Sequence, residues 1–352
     1  MLYHPSNFCF NSDQYTALMK NCLIILLLLV SLSTHAQKNY KGAEVYSTKL
    51  WKYGKIEVRM RMAKGSGILS TFFTYKDGSE ISGTFWEEID IEVFGKNNAQ
   101  SFQSNIISNN PKKTSEQVHS PGYSFADAYH TFALEWTPNY VAWLLDGVEV
   151  RKTQGGQAPE LTNPESFRFN LWAANIQSWV GAFDTGSLPA YQFINWIRYS
   201  AYTPGAGNNG KDFTSDWQDD FNTFNSSLWA KANWTFDENL VDFDPANAVV
   251  KDGCLILVLS KAGQTGFQGV VPKDDVLTSL DDPEDFSGVE IFPNPTSSKI
   301  FLKGIVREEW SLYNLMGEKV SQGQGAEIDM VNLPNGTYFL HVNDSVNKVL
   351  KR

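Results

Sequence analysis

Trp86-Glu87-Glu88-Ile89-Asp90-Ile91-Glu92-Val93-Phe94 alternates acidic with β-branched apolar residues from Glu88 to Val93. In extended backbone, residues i, i+2 and i+4 share a face. Glu88, Asp90 and Glu92 therefore lie with Trp86 and Phe94 on one side, and Ile89, Ile91 and Val93 form the other. The apolar side predicts a strand packed on a core. Three carboxylates on the opposite face repel one another, and Asp is depleted in strands. A strand that was merely solvated would need no apolar residue at every alternate position. Burdens of this kind concentrate where chemistry requires them, so the stretch predicts a carboxylate active site on a half-buried strand.

The flanking sequence repeats the period of two. Ile56, Val58, Met60 and Met62 alternate with Glu57, Arg59 and Arg61. Arg168, Asn170 and Trp172 share one face of another strand, as do Gln103 and Asn105. Asp146-Gly147 separates Val141-Ala142-Trp143-Leu144-Leu145 from Val148-Glu149-Val150, a two-residue hairpin signal. No long helical period appears. The pattern predicts an all-β chain whose residues 38–273 form a two-sheet β-sandwich of more than ten strands. Residues 274–288 read as an acidic linker with Pro, Gly and Ser, and residues 289–352 as a separate small β domain.

Composition narrows the partners. Aromatic residues make up 14% of the 352 residues, with 11 Trp, and charged residues 19%. That mixture suits a cleft that stacks rings on sugars, and equally a large all-β core. With a formal net charge of −10 and no Lys/Arg cluster, nucleic acid and anionic membrane surfaces are excluded as expected partners. Met19-Lys20, the apolar run Cys22–Val30 and Thr34-His35-Ala36 form a secretory signal, with cleavage expected after Ala36. Residues 1–18 read as an upstream extension, with translation starting at Met19. Cleavage would remove Cys9 and Cys22 and leave Cys254 alone, so the exported protein is expected to rest on its core without an internal disulfide.

Retaining hydrolysis of a glycosidic bond needs one carboxylate as nucleophile and one carboxylic acid as proton donor, about 5–5.5 Å apart. The Cα atoms of Glu88 and Glu92 would be roughly 13 Å apart on a straight strand; long side chains leaning inward on a curved strand close most of that gap. Asp90 between them can hydrogen-bond the nucleophile and hold the acid's pKa up by like-charge repulsion. His119, His130 and His341 show no zinc-binding spacing, and no nucleophile elbow, P-loop or dinucleotide fingerprint is present.

Glu88-Ile89-Asp90-Ile91-Glu92 resembles the catalytic motif of glycoside hydrolase family 16, whose members are concave β jelly rolls. Laminarinases of that family commonly carry one more residue before the second Glu, which bulges the strand. Its absence resembles the lichenase branch, which cuts mixed-linkage β-1,3-1,4-glucan. Ser70–Tyr75, Phe132–Pro138 and Phe169–Trp172 are similar to lichenase segments too. A segment like Phe221–Trp229 stands near the N-terminus of most lichenases but here follows the catalytic strand, so the resemblance implies a circularly permuted jelly roll. It further implies Glu88 as nucleophile, Glu92 as acid/base and Asp90 as helper. The implied substrate-binding residues are Glu44, Phe73, Tyr75, Glu80, Gln103, Asn105, Arg168, Asn170, Trp172, Trp179 and Trp234. Asp77 departs from the family pattern by replacing an Asn, and the loop before Trp86 is one residue shorter. No catalytic cofactor is implied, but one structural calcium is, held by the Asn195 side chain and the carbonyls of Asp220 and Gly253.

Phe292-Pro293-Asn294-Pro295, Tyr313-Asn314-Leu315-Met316-Gly317, Gly336-Thr337-Tyr338 and the basic Lys351-Arg352 resemble the sorting domain read by type IX secretion. That implies export, passage across the outer membrane and partnership with the secretion machinery, to a secreted or cell-surface location. The alternative for this region is a carbohydrate-binding module, which would display exposed aromatics. For the whole chain the expectation is a monomeric endo-β-1,3-1,4-glucanase. The alternatives are the same acids acting on β-1,3-glucan or a galactan, and a non-catalytic glycan-binding protein.

Overall fold

The structure, a computed structural model, describes residues 37–207, 211–274, 290–303, 309–314, 318–342 and 345–352. The secretory signal over 1–36, linker residues 275–288 and Leu315-Met316-Gly317 lie outside the described residues. The chain divides into two compact units, Met1–Asp274 and Asp275–Arg352.

The first unit is a sandwich of two antiparallel sheets. One is built on β1 (Tyr40–Ser47), β3 (Ile68–Tyr75), β4 (Trp86–Phe94), β5 (Ser101–Asn109) and β11 (Ser166–Ala173). Its order is β1-β11-β3-β4-β5, extended beyond β5 by β6 (Lys113–Thr114) and β7 (Gln117–His119). The short β14 (Trp229–Lys231) pairs with the other edge of β1, and β15 (Asp242–Phe243) adds a parallel pairing to it. The opposite sheet contains β2 (Gly54–Arg61), β8 (His130–Trp136), β9 (Tyr140–Leu145), β10 (Val148–Gln154) and β12 (Ala190–Tyr202). Its order is β10-β9-β8-β2-β12. On its outer side β12 meets β17 (Cys254–Lys261) with its first half and β13 (Phe213–Asp219) with its second, and β16 (Ala248–Lys251) flanks β17.

Alternation explains the core. Ile89, Ile91 and Val93 are fully buried from one sheet, and Ile56, Val58 and Met60 from the other. Phe72, Phe167, Phe169 and Trp229 pack ring on ring between them. Truncating such a ring costs about 3–5 kcal/mol, enough to account for a stable fold with its one described cysteine, Cys254, buried and unpaired. The hairpin at Asp146-Gly147 forms as expected, with φ of 48° and 77°, the left-handed pair that a type I′ turn demands.

After β17 the chain runs as a strap to Asp274. Phe267 meets the edge of Tyr191 at 5.0 Å, and the Tyr129 hydroxyl donates to the Pro272 carbonyl at 3.3 Å. Arg59 closes on Asp274 with two parallel bonds of 3.0 and 2.8 Å, and Asn195 Nδ2 adds a third at 2.8 Å.

The second unit is a small sandwich. One sheet is β18 (Glu290–Phe292), β19 (Lys299–Lys303) and β22 (Glu327–Asp329). The other is β21 (Lys319–Gln324), β20 (Glu309–Asn314), β23 (Gly336–Val342) and β24 (Ser345–Lys351). Trp310 and Tyr338 are buried in its core beside Ile300, Leu312 and Leu340. Neither can serve as a sugar platform.

Candidate active site

Paired residues in a sheet point to the same face, so register carries the acidic face of β4 sideways. On β3, Tyr75, Phe73 and Thr71 stand opposite Glu88, Asp90 and Glu92. On β5, Asn105 and Gln103 stand opposite Asp90 and Glu92. One strand further, Arg168 and Asn170 of β11 pair with Phe73 and Thr71, and Glu44 of β1 pairs with Asn170. The register of β4 is unbroken on both sides from Trp86 to Phe94, without a bulge.

This face forms the floor of a cleft of about 650 Å³. Three acids and eight of the eleven expected sugar-binding residues line it: Glu44, Phe73, Tyr75, Glu80, Arg168, Asn170, Trp172 and Trp234. The other three brace it from outside. Gln103 Nε2 donates to Glu92 Oε2 at 3.0 Å, and Trp179 Nε1 donates to Gln103 Oε1 at 3.2 Å. Asn105 Oδ1 is occupied by the Ser115 amide at 2.9 Å.

Hydrogen bonds fix the walls. Tyr75 donates its hydroxyl to Glu80 Oε2 at 2.6 Å. Arg168 is held between Glu44 at 3.1 Å and Asp77 at 2.7 Å, and Asn170 Nδ2 donates to Glu44 at 3.1 Å. Asp77 thus supplies an anionic partner for Arg168 at the position where the sequence departs from the family pattern. Lys38 Nζ donates to Thr235 Oγ1 at 2.7 Å and to the Asn239 carbonyl at 2.5 Å, anchoring the loop that carries Trp234 and Phe236.

The three carboxyls are electrostatically distinct. Burial pushes Glu92 up to about 8; the Glu88 charge adds to the rise and the Gln103 amide opposes it. Burial also raises Glu88, but Trp86, Asp90, Arg168 and Lys112 all favour its charged form. The Trp86 indole donates to Glu88 Oε2 at 2.5 Å. Asp90 is raised well above the usual range by burial and by the charges of Glu88 and Glu92, which favours the protonated form that can donate to Glu88. The sequence expectation was that Asp90's charge holds Glu92 up. The structure assigns that repulsion to Glu88, because two ionised carboxyls cannot share so dry a site. Of the three, Glu88 alone has several neighbours that favour its charged form, while Glu92 and Asp90 are pushed towards their protonated forms.

Several functional positions escaped the sequence reading. Thr71 and Phe236 line the cleft together with Trp86, which the alternation already places on the acidic face. Thr71 lies two residues before Phe73 on β3, so extending the alternation finds it; Phe236 sits in a loop with Trp234 and Thr235, all three lining the cleft, where no period applies. Glu87, on the core side of β4, accepts the Thr162 and Asn163 amides at 2.6 and 3.0 Å and ties down the chain ahead of β11. Glu165 is fully buried beneath Thr74, which donates to its Oε2, while its Oε1 has no partner; burial first, and the charges of Glu87 and Glu88, raise its pKa well above normal. No periodicity announces Glu165.

The three residues expected to hold calcium sit at or beside breaks and ends of neighbouring strands. Asn195 occupies the gap where β12 exchanges β17, last paired at Ile194, for β13, first paired at Ile197. Gly253 lies in the turn between β16 and β17, and Asp220 directly follows β13. With Asn195 Nδ2 committed to Asp274, the Asn195 side chain offers its oxygen. An all-oxygen set suits calcium. Among the described residues no group of three or more His, Cys, Asp or Glu could hold a metal.

Paired carboxyls with divergent protonation, set in an aromatic cleft on a β-sandwich, define a sugar-bond hydrolase. Residues 11–198 match glycosyl hydrolases family 16, and residues 290–352 match a secretion system C-terminal sorting domain. A beta-glucanase of Fibrobacter succinogenes is 49% identical over 261 residues, covering 73% of this chain and 74% of that protein. A beta-glucanase of Bacillus subtilis is 36% identical over 172 residues, covering 49% and 68%. The solved Bacillus licheniformis beta-glucanase is 37% identical, with a TM-score of 0.40 over 44% of this chain and 70% of its own. The chain belongs to glycosyl hydrolases family 16. It is a glycosidase that needs no catalytic cofactor, and its sorting domain marks it for export, secreted or to the cell surface.

Proposed function

We propose that the protein is an endo-β-1,3-1,4-glucanase that cuts β-1,4 bonds next to β-1,3 bonds with retention of configuration. The observation that carries this reading is the unbulged β4 with its three acids on the cleft floor; the beta-glucanase relatives support the glucan class. Glu88, charged and held by Trp86, attacks C1 of the sugar to form a glycosyl ester while Glu92 gives its proton to the departing O4. Glu92, now a carboxylate, takes a proton from water; the water oxygen bonds to C1 and Glu88 leaves as carboxylate. Asp90 donates to Glu88 while it carries charge. Trp172, Trp234 and Phe73 offer ring faces to the sugars, and Glu44, Asn170 and Glu80 offer hydrogen-bonding groups. The enzyme acts as a monomer.

Domain limits follow the same reading: a signal over 1–36, a catalytic jelly roll over 38–273, a linker over 274–288 and a type IX sorting domain over 289–352. The jelly roll is circularly permuted. Supporting this, the segment Phe221–Trp229 leads into β14, which pairs with β1, and β17 also pairs with β1, so late strands flank the first one. A calcium ion held by Asn195, Asp220 and Gly253 ties β12, β13 and β17 together; addition of chelator should lower the melting temperature, and excess calcium restore it.

The test of substrate is a reducing-sugar assay on barley β-glucan, lichenan, laminarin, carboxymethyl-cellulose and agarose, with Glu88→Gln as blank. Cleavage confined to the first two is expected. Equal activity on laminarin or agarose would overturn the linkage assignment, and a Glu88→Gln variant that keeps near-normal turnover would remove Glu88 as nucleophile.

A further inference from the structure

Trp86, whose indole holds Glu88, is itself gripped on both sides. The edge-to-face contact with Tyr75 has centroids 5.7 Å apart at 84°. Lys112, in the turn that follows β5, places its Nζ 4.0 Å from the Trp86 ring centroid. Register explains the reach: Trp86 pairs with Asn109, and the chain then turns back through Lys112 into β6. Among the described residues Lys112 makes no ion pair, so its charge falls on the ring.

The groups facing Glu88 are Asp90 and Glu92 from its own strand, Tyr75 from β3, Arg168 from β11, Glu165 from the chain ahead of β11, and Lys112. Of the two cations, Arg168 is already shared by Glu44 and Asp77. Lys112 alone is uncommitted. A cation over an indole face draws on its π density and makes the in-plane N–H a stronger donor. The same construction recurs behind the strand: Arg151 lies 4.4 Å from the Trp143 ring centroid, and Trp143 Nε1 donates to the Asp90 carbonyl at 2.9 Å.

We propose that Lys112 is a positioning residue for the reaction: by capping Trp86 it fixes and polarises the indole N–H that keeps the Glu88 carboxylate oriented and charged. This rests on Glu88 being the nucleophile. Lys112 also favours the ionised form of Glu88 directly through space.

The experiment compares wild type, Lys112→Met and Lys112→Arg in kcat, KM and the pH profile of kcat/KM on barley β-glucan. A cation–π contact of this kind is worth about 0.5–1 kcal/mol, which converts to a rise of roughly half a pH unit in the acid limb and about a two- to fivefold fall in kcat. In Lys112→Met both changes are expected with KM unchanged, and Lys112→Arg should restore both. An unmoved acid limb in Lys112→Met overturns the proposal, as does a rise in KM alone, which would make Lys112 a sugar contact. Trapping with a 2-deoxy-2-fluoro glucanosyl substrate and peptide mapping separates the two claims. Label on a residue other than Glu88 would defeat the nucleophile assignment; label on Glu88 with an unmoved limb would defeat only the role of Lys112.

Discussion

Replacing Gln103 by Met removes the amide that donates to Glu92 Oε2 at 3.0 Å while nearly preserving side-chain volume. Glu92 stands at about 8 because burial and the Glu88 charge raise it against the pull of that amide. A hydrogen bond to an ionised group is worth about 1.5–3 kcal/mol, and one pKa unit about 1.4 kcal/mol. Taking the lower end of that range, the loss amounts to about one unit. The sign follows from which form the amide stabilises. Gln103 donates to the carboxylate, so its removal favours the protonated acid and Glu92 stays a proton donor to higher pH. The basic limb of kcat/KM reports the acid of the free enzyme and should move from about 8 towards about 9. Trp179 loses its acceptor at the same time, so KM should rise modestly. The assay is initial-rate hydrolysis of barley β-glucan across the pH range, fitted for both limbs. A basic limb that stays in place or moves to lower pH would refute the assignment of Glu92 as the acid tuned by Gln103.

Glu165→Gln should stabilise the fold at pH 8 and lose that advantage towards pH 4. The folded-state pKa of Glu165 is raised, so its contribution is full below the ordinary carboxyl value and is lost as pH rises through the folded value; thermal melts across pH check it. Asp274→Ala leaves Arg59 with a long 3.4 Å bond to Thr131 Oγ1 and the distant Asp146 at 3.8 Å. The loss should be about 2 kcal/mol, between exposed and sealed ion pairs, and is read by urea unfolding. Removing residues 289–352 should leave hydrolysis by the purified enzyme intact and stop its release from the native cell; an inactive pure truncation would tie the tail to catalysis.

The active strand was legible because its chemistry and its packing demand opposite things of alternate residues. Ile89, Ile91 and Val93 could only be core, so Glu88, Asp90 and Glu92 could only share the other face. The same rule placed Arg168, Asn170 and Trp172 together. Which strands lie side by side is a tertiary fact, so the row from Gln103 to Glu44 emerged only with the sheet order. Protonation was hidden for the same reason. Asp90 is pushed towards its neutral form by burial and by the charges of Glu88 and Glu92, and that burial depends on walls supplied by distant segments. Glu165 was invisible altogether, since its burial comes from contact with Trp51 and Thr74, far away in sequence.

The strap that ends at Asp274 has a mechanical consequence. When a tail is pulled through a secretion pore, tension enters the folded unit at the first residue that is fastened. Among the described residues of this unit the last is Asp274, gripped by Arg59 and Asn195 on two neighbouring strands of one sheet. Tension arriving at Asp274 therefore meets side-chain bonds to β2 and β12, which belong to the sheet opposite the cleft floor.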